Sequence, residues 1–430
     1  MLKAYSYQMY EMAHAALAPA RAMSDASGLM FRNPFNPFSH TSFGRNVAAG
    51  AEMFERLTRR YGKPAFGLKA TKVAGVTRAV REEIVWIKPF CSLIRFVREG
   101  LESAPAPRLL IVAPMSGHYA TLLRGTVDAF LPTHDVYITD WADARMAPLA
   151  LGAFDLDDYI DYLIAMFAHL GPGAHAVGVC QPSVPLMAAV ALMEARGDAC
   201  LPASMTLMGG PIDTRKSPTE VNKLAQTRGV EWFRDNCLQT VPFPYPGFGR
   251  KVYPGFLQLS GFMAMNLDRH VNAHVEMFHH LVKGDGDSAE KQQDFYDEYM
   301  AVMDLTAEYY MQTIDTVFVR HSLPKGEMTH RGERVDPALI RNVGLMTVEG
   351  ENDDISGIGQ TKAAHDLCVN LPASLQTDYV QPEVGHYGVF NGSRFRREIA
   401  PRMTAFHAHA ERVLAAAPRA MVGLGERFEE

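Results

Sequence analysis

Three side chains that could together carry out nucleophilic catalysis occur along this sequence of 430 residues in the order cysteine, aspartate, histidine. They are Cys180, an aspartate at Asp353 or Asp354, and His386, and each lies just after a stretch predicted as a strand. In such a set the histidine takes the thiol proton, or stabilises the thiolate as an imidazolium, and the carboxylate holds the imidazole in the required tautomer. The pattern therefore predicts a cysteine nucleophile with a histidine base and an aspartate acid.

The surroundings of Cys180 have the pattern of a strand that turns sharply into a helix. The apolar residues 175–179 predict a buried strand, and the apolar residues 184–193 predict a buried helix. Between them, Gly-Val-Cys-Gln-Pro at 178–182 occupies the place of the G-x-S-x-G nucleophile elbow of α/β-hydrolases, with Cys replacing Ser and Pro replacing the second Gly. An isolated cysteine after a strand is more commonly a core residue. The order of the three residues favours the catalytic interpretation instead.

The tetrahedral intermediate of acyl transfer needs hydrogen-bond donors for its oxyanion. We expect one donor to be the backbone N–H of Gln181, the residue after the nucleophile, and the second to come from Met115 or its neighbour Ser116. Ser116 and Ser183 compete as nucleophiles, but neither lies at the strand-to-helix apex, and Ser183 is predicted to pack against the helix or to cap it. His118 either lines the pocket or has no role.

Strand-like and helical stretches alternate through most of the chain, which predicts βαβ units with the working site at the carboxyl ends of the strands. The predicted fold class is α/β: an α/β-hydrolase fold with a mostly parallel central sheet, an N-terminal helical extension and an inserted helical cap. The first three strand-like stretches resemble the antiparallel strands that open such a sheet. The predicted strands are 76–80, 83–87, 91–97, 108–112, 135–141, 175–179, 204–208, one that starts at 343, and 375–380.

The predicted boundaries give a helical extension at 1–70, the first part of the core at 71–212, a helical cap at 213–330 and the second part of the core at 331–430. Within the cap, a capping box at 287–290 predicts the start of a long helix, which continues through Tyr299, Met303, Tyr310, Ile314 and Val317.

Aromatic and Met residues are frequent in two parts of the predicted cap and in the N-terminal extension. Those at 243–248 and 256–265 either pack against the core or line an apolar groove for substrate. Those of the extension, with predicted helices at 7–17 and 48–61, are expected to cover the main domain rather than to contact another apolar surface.

The composition excludes several other functions. A net charge of -6 with 47% hydrophobic and 21% charged residues is typical of a soluble globular protein and gives no reason to expect nucleic acid as a partner. The five cysteines are scattered, which argues against a disulfide framework and a zinc site, and we predict neither a metal nor a cofactor. The N-terminus lacks an uninterrupted apolar signal region, and the longest apolar run, 184–193, is too short to span a bilayer. We therefore expect a cytoplasmic protein.

Several motifs resemble one family along essentially the whole chain. They are Val-Cys-Gln-Pro at 179–182, Val-Glu-Gly-Glu-Asn-Asp-Asp-Ile-Ser at 348–356, Val-Gly-His-Tyr-Gly-Val-Phe-Asn-Gly at 384–392, and the segments 33–38, 56–64 and 81–91. On these motifs the chain is similar to the intracellular polyhydroxybutyrate depolymerases, cysteine-dependent relatives of the polyhydroxyalkanoate synthases. In the synthase relatives the acid begins an Asp-x-Ile turn, which places it on Asp353 and leaves Asp354 as the alternative.

The resemblance implies hydrolysis of amorphous storage polyester at granule surfaces, with release of 3-hydroxybutyrate units or short oligomers. The expected partner is therefore the polyhydroxybutyrate granule or its oligomers, with CoA as an alternative acceptor and a homo-oligomer as an alternative to a monomer. Two rival functions remain at this point: a synthase-like acyltransferase, and an inactive granule-binding protein with a relict site.

Overall fold

The structure is a computed structural model that describes residues 6–265, 267–283, 293 and 295–416. Its strands, numbered in chain order, are β1 Ala70–Val73, β2 Val76–Lys88, β3 Cys91–Arg98, β4 Arg108–Val112, β5 Asp135–Trp141, β6 His175–Val179, β7 Ser204–Met208, β8 Gln239–Thr240, β9 Lys251–Tyr253, β10 Leu305–Thr306, β11 Thr329–His330, β12 Glu333–Arg334, β13 Gly344–Gly350 and β14 Gln376–Gln381. Nine of these strands form one central sheet in the order β1-β2-β3-β5-β4-β6-β7-β13-β14.

The direction of the strands divides this sheet into two parts. From β1 to β3, and between β3 and β5, neighbouring strands are antiparallel, whereas every neighbouring pair from β5 to β14 is parallel. This topology confirms the predicted α/β-hydrolase fold with its mostly parallel sheet. Because parallel strands share one orientation, the loops after β4, β6, β7 and β13 meet at one edge of the sheet, where a site is expected. One detail was wrong: the strands predicted at 76–80 and 83–87 are a single strand, β2, with an irregularity between Ile84 and Trp86.

Helices connect the parallel strands and cover the sheet. They are α1 Ser6–Ala16, α2 Ala18–Arg32, α3 Ser42–Thr58, α4 Arg124–Phe130, α5 Leu156–Leu170, α6 Ser183–Ala195, α7 Glu220–Cys237, α8 Gly255–Met265, α9 Leu267–Lys283, α10 Ala307–Thr313, α11 Ala363–Leu367, α12 Gly392–Arg394 and α13 Ala400–Ala416, with π-helical turns at Ile314–Val319 and Phe395–Ile399. The helix after β6 is buried from residue 183 to 193, as its continuous apolar sequence predicts. No helix in the described ranges is both long and apolar enough to cross a lipid bilayer.

The N-terminal helices contact the rest of the chain through polar side chains, such as Arg56 paired with Asp297 at 2.7 Å, and through a few apolar ones. Tyr7 is almost fully buried and its hydroxyl donates a hydrogen bond to Asp304 at 2.6 Å. Most other large apolar residues of this region are exposed, so the expectation that they cover the main domain was wrong for these residues. The exposed set comprises Met9, Met12, Leu17, Met23, Leu29, Met30, Phe35, Phe38, Phe43 and Leu57, and we call it the N-terminal apolar surface. Tyr10 is also partly exposed, but it stacks on Phe256.

The segment between β7 and β13 differs from the predicted helical cap in two ways. It contains a small three-stranded sheet of β8, β9 and β10 beside its helices. The predicted long helix through Val317 is also wrong, because the chain is not helical from Met300 to Asp304 and then forms β10. In this stretch the backbone N–H groups of Met303 and Asp304 bond to Gly117 and Asp143 of the core, which competes with helical pairing. The predicted capping box at 287–290 lies outside the described residues, and the boundaries between the four predicted parts of the chain stay a prediction.

Candidate active site

Cys180 lies at the turn between β6 and α6, in a backbone conformation that non-glycine residues rarely adopt. Its φ is 65°, one of the few positive values among the described non-glycine residues. Its N–H bonds to the Met208 carbonyl at 2.7 Å, and its carbonyl accepts from the Ser183 N–H at 3.1 Å. Such a conformation typically costs about 1–3 kcal/mol and is concentrated at functional sites. The tight turn raises the half-buried Cys180 above the end of the sheet.

Two glycines give this turn the room it needs. A Cβ on Gly178 would lie 3.1 Å from Leu186 and 3.3 Å from the Ser183 backbone nitrogen. A Cβ on Gly210, in the loop after β7, would lie only 2.0 Å from the Ser183 hydroxyl oxygen. The start of α6 therefore approaches the neighbouring loop more closely than any side chain would allow. Gly210 was not identified from the sequence, although the Gly-Gly pair after β7 was visible there.

Asp353 and His386 meet at the same edge of the sheet. The Asp353 carboxylate accepts a hydrogen bond from His386 Nδ1 through Oδ2 at 2.8 Å. Its Oδ1 accepts from the backbone N–H groups of Ile355 and Ser356 at 2.9 and 2.8 Å. The Asp353 side chain is buried, whereas the neighbouring Asp354 is exposed. Of the two predicted alternatives, the structure brings Asp353 to the histidine.

His386 lies between this carboxylate and the thiol. Burial is the largest influence on the pKa of His386 and lowers it, but Asp353 and Cys180 together raise the pKa well above its ordinary value. Because Cys180 raises the pKa of His386, the thiol lies near the imidazole. A Cβ on Gly209 would lie 3.2 Å from His386 Cε1 and 3.3 Å from Asp353 Oδ2, so this glycine forms the floor under the pair.

A buried glutamate that sequence reasoning missed holds the loop that carries Asp353. The Glu349 carboxylate, at the end of β13, accepts hydrogen bonds from the backbone N–H groups of Gly359, Thr361 and Lys362 at 2.8–3.0 Å. The Thr361 hydroxyl in turn accepts from the Gly210 N–H at 2.8 Å. The visible signal was one charged residue at the end of an otherwise apolar strand.

The two expected oxyanion donors lie in loops at this edge. Met115 and Gln181 are both buried, and neither of their backbone N–H groups donates a hydrogen bond to any described residue. The loop of Met115 is fixed from the other side, because the Gly117 carbonyl accepts from the Met303 N–H at 2.7 Å. Ser116, in the same loop, is half-buried.

The two remaining candidate residues, Ser183 and His118, make contacts that support the structure around the site. The Ser183 side chain is fully buried and its hydroxyl donates to the Gly178 carbonyl at 3.3 Å, in agreement with the predicted packing role. His118 is buried with Nε2 3.0 Å from the Tyr299 carbonyl, and burial lowers its pKa to about 4. His118 is therefore neutral at physiological pH and joins the Met115 loop to the segment after residue 295.

The sheet topology and the elbow at its carboxyl edge define an α/β-hydrolase. Residues 209–411 match the model of a protein family described as PHB de-polymerase C-terminus, where PHB stands for polyhydroxybutyrate. The matched residues, slightly less than half of the chain, support an α/β-hydrolase of the polyhydroxybutyrate depolymerase type, as the motifs predict. Because the polymer is a polyester, this match supports an ester hydrolase. Asp353 and His386 lie within the matched residues, and Cys180 precedes them.

Solved structures with a similar chain course include several esterases. A carboxylesterase of the thaumarchaeon Nitrososphaera gargenis is 13% identical over 77% of this chain and 100% of its own, with a TM-score of 0.42. The carboxylesterase CesB of Bacillus subtilis is 11% identical over 84% of this chain and 98% of its own, with a TM-score of 0.40. A thermophilic esterase of Thermogutta terrifontis is 13% identical over 79% of this chain and 98% of its own, with a TM-score of 0.39. At these scores the fold assignment rests on the sheet topology alone. No curated protein matches the sequence.

Proposed function

We propose that this protein hydrolyses the ester bonds of poly(3-hydroxybutyrate) through a triad of Cys180, His386 and Asp353. The observation that carries the proposal is the juxtaposition of a thiol at a strained elbow with an imidazole, itself bonded to a buried carboxylate at 2.8 Å. The family supplies the class of substrate, a polyester.

The first half of the reaction transfers the acyl group to sulfur. The Cys180 thiolate attacks the ester carbonyl carbon and forms a C–S bond, and the carbonyl electrons move to oxygen. When the tetrahedral intermediate collapses, the C–O bond breaks and the leaving alkoxide takes the proton from the His386 imidazolium. The raised pKa of His386 suits this step, because the ring holds its proton at neutral pH until the leaving oxygen needs it.

The second half returns the thiol. His386, now neutral, takes a proton from a water molecule as the water oxygen attacks the thioester carbonyl. The C–S bond then breaks, releasing the carboxylic acid and restoring the thiolate beside the imidazolium. Asp353 holds the ring in one orientation through both halves, because its other oxygen is anchored by two backbone N–H groups.

The oxyanion of both tetrahedral intermediates is assigned to the backbone N–H groups of Gln181 and Met115. Their lack of another hydrogen-bond acceptor among the described residues leaves them available for this role. In acyl-transfer enzymes, the loss of one such donor typically raises the barrier by about 2.7–4 kcal/mol.

The N-terminal apolar surface is the part of the described chain that we assign to the polymer granule. Phe35 is 92% exposed, and Phe38 and Phe43 lie on the same hairpin of helices. A solid polyester is uncharged and apolar, so it can cover such side chains without a matching charge pattern. The predicted cap groove stays a prediction: Phe256 stacks on Tyr10 with ring centres 4.1 Å apart, whereas Phe243 and Phe248 are 80% and 58% exposed.

One experiment tests the function. The purified protein is incubated with native amorphous granules, the released 3-hydroxybutyrate and oligomers are measured, and the acylated peptide is identified by mass spectrometry after acid quenching. We expect product from the wild type, an acyl group on Cys180, and no product from Cys180→Ala at unchanged thermal stability. Cys200→Ala is the matched control, since Cys200 is also a half-buried free cysteine.

Three outcomes contradict the proposal. Substantial product release by Cys180→Ala would show that Cys180 is not the nucleophile. Binding of granules without product release by the wild type would indicate a granule-binding protein. Product release only in the presence of CoA would show that CoA, and not water, accepts the acyl group.

A further inference from the structure

A group of buried polar atoms next to Cys180 has no role in the chemistry described so far. The Tyr309 hydroxyl, the Thr313 hydroxyl and the Gln181 side-chain oxygen make no hydrogen bond of normal length and angle with any described residue. The three residues are only 1%, 6% and 9% exposed, so bulk water does not satisfy these atoms. A buried polar atom without a partner typically destabilises a fold by about 1–3 kcal/mol, so three together indicate a site that is filled by something else.

These atoms lie beside the nucleophile. Burial raises the pKa of Tyr309 well above its ordinary value, the polar side chains of Thr313 and Gln181 lower it, and Cys180 raises it, so all three side chains lie near the Tyr309 hydroxyl. Tyr309 and Thr313 belong to α10 and are four residues apart, which puts them on one helix face. Gln181 directly follows Cys180, and its backbone N–H is one of the two groups that we assign to the oxyanion.

The Tyr309 ring is held rigidly in this position. It stacks on Tyr159 with ring centres 5.6 Å apart and planes 15° apart, and Tyr159 stacks on Trp141 at 4.1 Å. This column runs from the end of β5 through α5 to α10. A π-helical turn follows α10 directly, a feature that is frequent at functional sites. The rigid column fixes the hydroxyl in space before any ligand arrives, which is what a recognition group requires.

The polyester offers few atoms that could pair with these groups. The carbonyl oxygen under attack is assigned to the Gln181 and Met115 N–H groups, and the leaving oxygen to His386. The next oxygen on the acyl side is the one on the third carbon of the chain. It is a hydroxyl in a terminal unit and an ester oxygen in an internal unit.

We propose that Tyr309, Thr313 and Gln181 form a hydrogen-bonding subsite for the oxygen on the third carbon of the acyl group, and that this subsite selects 3-oxygenated esters over plain acyl esters. The inference rests on the proposed function, since it assumes that Cys180 is acylated. Tyr309 and Thr313 donate to the oxygen, and the Gln181 oxygen accepts from it when it is a hydroxyl.

The test compares three soluble p-nitrophenyl esters: butyrate, 3-hydroxybutyrate and 3-acetoxybutyrate. The measured quantity is the ratio of kcat/KM for each 3-oxygenated ester to kcat/KM for butyrate. We expect Tyr309→Phe and, separately, Thr313→Val to lower this ratio about tenfold, the effect of one lost hydrogen bond in a buried site. A loss with 3-hydroxybutyrate alone assigns the subsite to terminal units, and a loss with both esters assigns it to internal units as well.

Tyr310→Phe is the matched control, because Tyr310 is the next residue of the same helix, is buried, and stacks on Tyr253 at 4.0 Å in another cluster. Its ratio should equal that of the wild type. Equal losses on all three esters in both subsite variants would overturn the proposal, because they indicate a general packing role. Failure of the wild type to hydrolyse any ester would refute the proposed function instead, so the two failures are distinguishable. Thermal unfolding of each variant shows which ratios come from folded protein.

Discussion

Replacing Asp353 by asparagine exchanges one carboxylate oxygen for an NH2 group and leaves the shape of the side chain intact. The wild-type carboxylate accepts three hydrogen bonds: one from His386 Nδ1 at 2.8 Å and two from the backbone N–H groups of Ile355 and Ser356. The asparagine amide has one oxygen and one NH2 group, so it can serve only one of these two sides as an acceptor. Keeping the oxygen on the two backbone N–H groups preserves two bonds, whereas flipping preserves one and opposes donors to donors. The first orientation should therefore dominate.

In that orientation the amide donates a hydrogen bond to Nδ1, and the imidazole must carry its proton on the other nitrogen, which faces Cys180. This tautomer cannot accept the thiol proton. The lost charge-assisted hydrogen bond alone is worth about 1.5–3 kcal/mol, or about 10- to 150-fold in rate. With the wrong tautomer added, serine triads lose about 10⁴-fold. We expect a loss of about 10³- to 10⁴-fold in kcat for Asp353→Asn.

The assay is hydrolysis of a soluble 3-hydroxybutyrate ester between pH 5 and pH 9, with Asp354→Asn as the matched control. Asp354 is the next residue and is exposed, so its variant should stay within about threefold of the wild type, as is usual for surface substitutions. The pH profile adds a second readout: without the carboxylate, the pKa of His386 should fall, because Asp353 is the largest influence that raises it. A loss of less than tenfold in Asp353→Asn, or a larger loss in Asp354→Asn, would refute the tautomer argument.

Three further predictions follow from the structure. Gly209→Ala should lower kcat/KM at least tenfold, because the added methyl group would press on His386 and Asp353. Gly197 has a similar φ with open space around it, so Gly197→Ala should keep its activity and lose only about 1–2 kcal/mol in the free energy of unfolding, measured with urea. Burial and the neighbouring Asp143 raise the pKa of Asp304 to about 7, compared with about 3.9 in the unfolded chain, so the contribution of Asp304 to the free energy of unfolding should decline from pH 4 to pH 7. Urea unfolding should show a steeper decline over this range for the wild type than for Asp304→Asn, and equal slopes would contradict this prediction. Phe35→Glu with Phe38→Glu should reduce co-sedimentation with granules but spare soluble-ester hydrolysis, whereas Val369→Glu, another exposed apolar position, should do neither; losses on the soluble ester would show a folding defect.

The parallel core could be predicted from the sequence because its signals are local. Residues 175–179 and 204–208 are short, mostly apolar runs, which is the pattern of strands buried on both faces. The long helix predicted through Val317 failed for the opposite reason. The apolar spacing around Met303 is helical, but Asp304 is held by Tyr7 and by the Gly255 N–H, residues far away in the chain. A local pattern contains no record of such partners.

The same distinction applies to the candidate site. The order of Cys180, Asp353 and His386 could be read directly, and the choice of Asp353 over Asp354 came from a family pattern. The side chains that support these residues could not be found in this way. Gly209 contacts Asp353 and His386, which follow it by more than a hundred residues. Glu349 and Tyr309 each lie more than a hundred residues after Cys180, and their roles depend on the direction of one side chain. Only the fold brings them together.

The missing second glycine of the elbow motif illustrates how a fold can meet one requirement in another way. In G-x-S-x-G that glycine lets the helix after the nucleophile start close to its neighbours. Here the position is Pro182, whose ring fixes φ at -56°, a value suited to a helix start. The close approach is instead made possible from the opposite side, where the hydrogen of Gly210 faces the Ser183 hydroxyl. Gly210→Ala should therefore disturb the elbow as strongly as a substitution of the second glycine would in a serine enzyme, and the sequence difference at Pro182 does not weaken the assignment of Cys180.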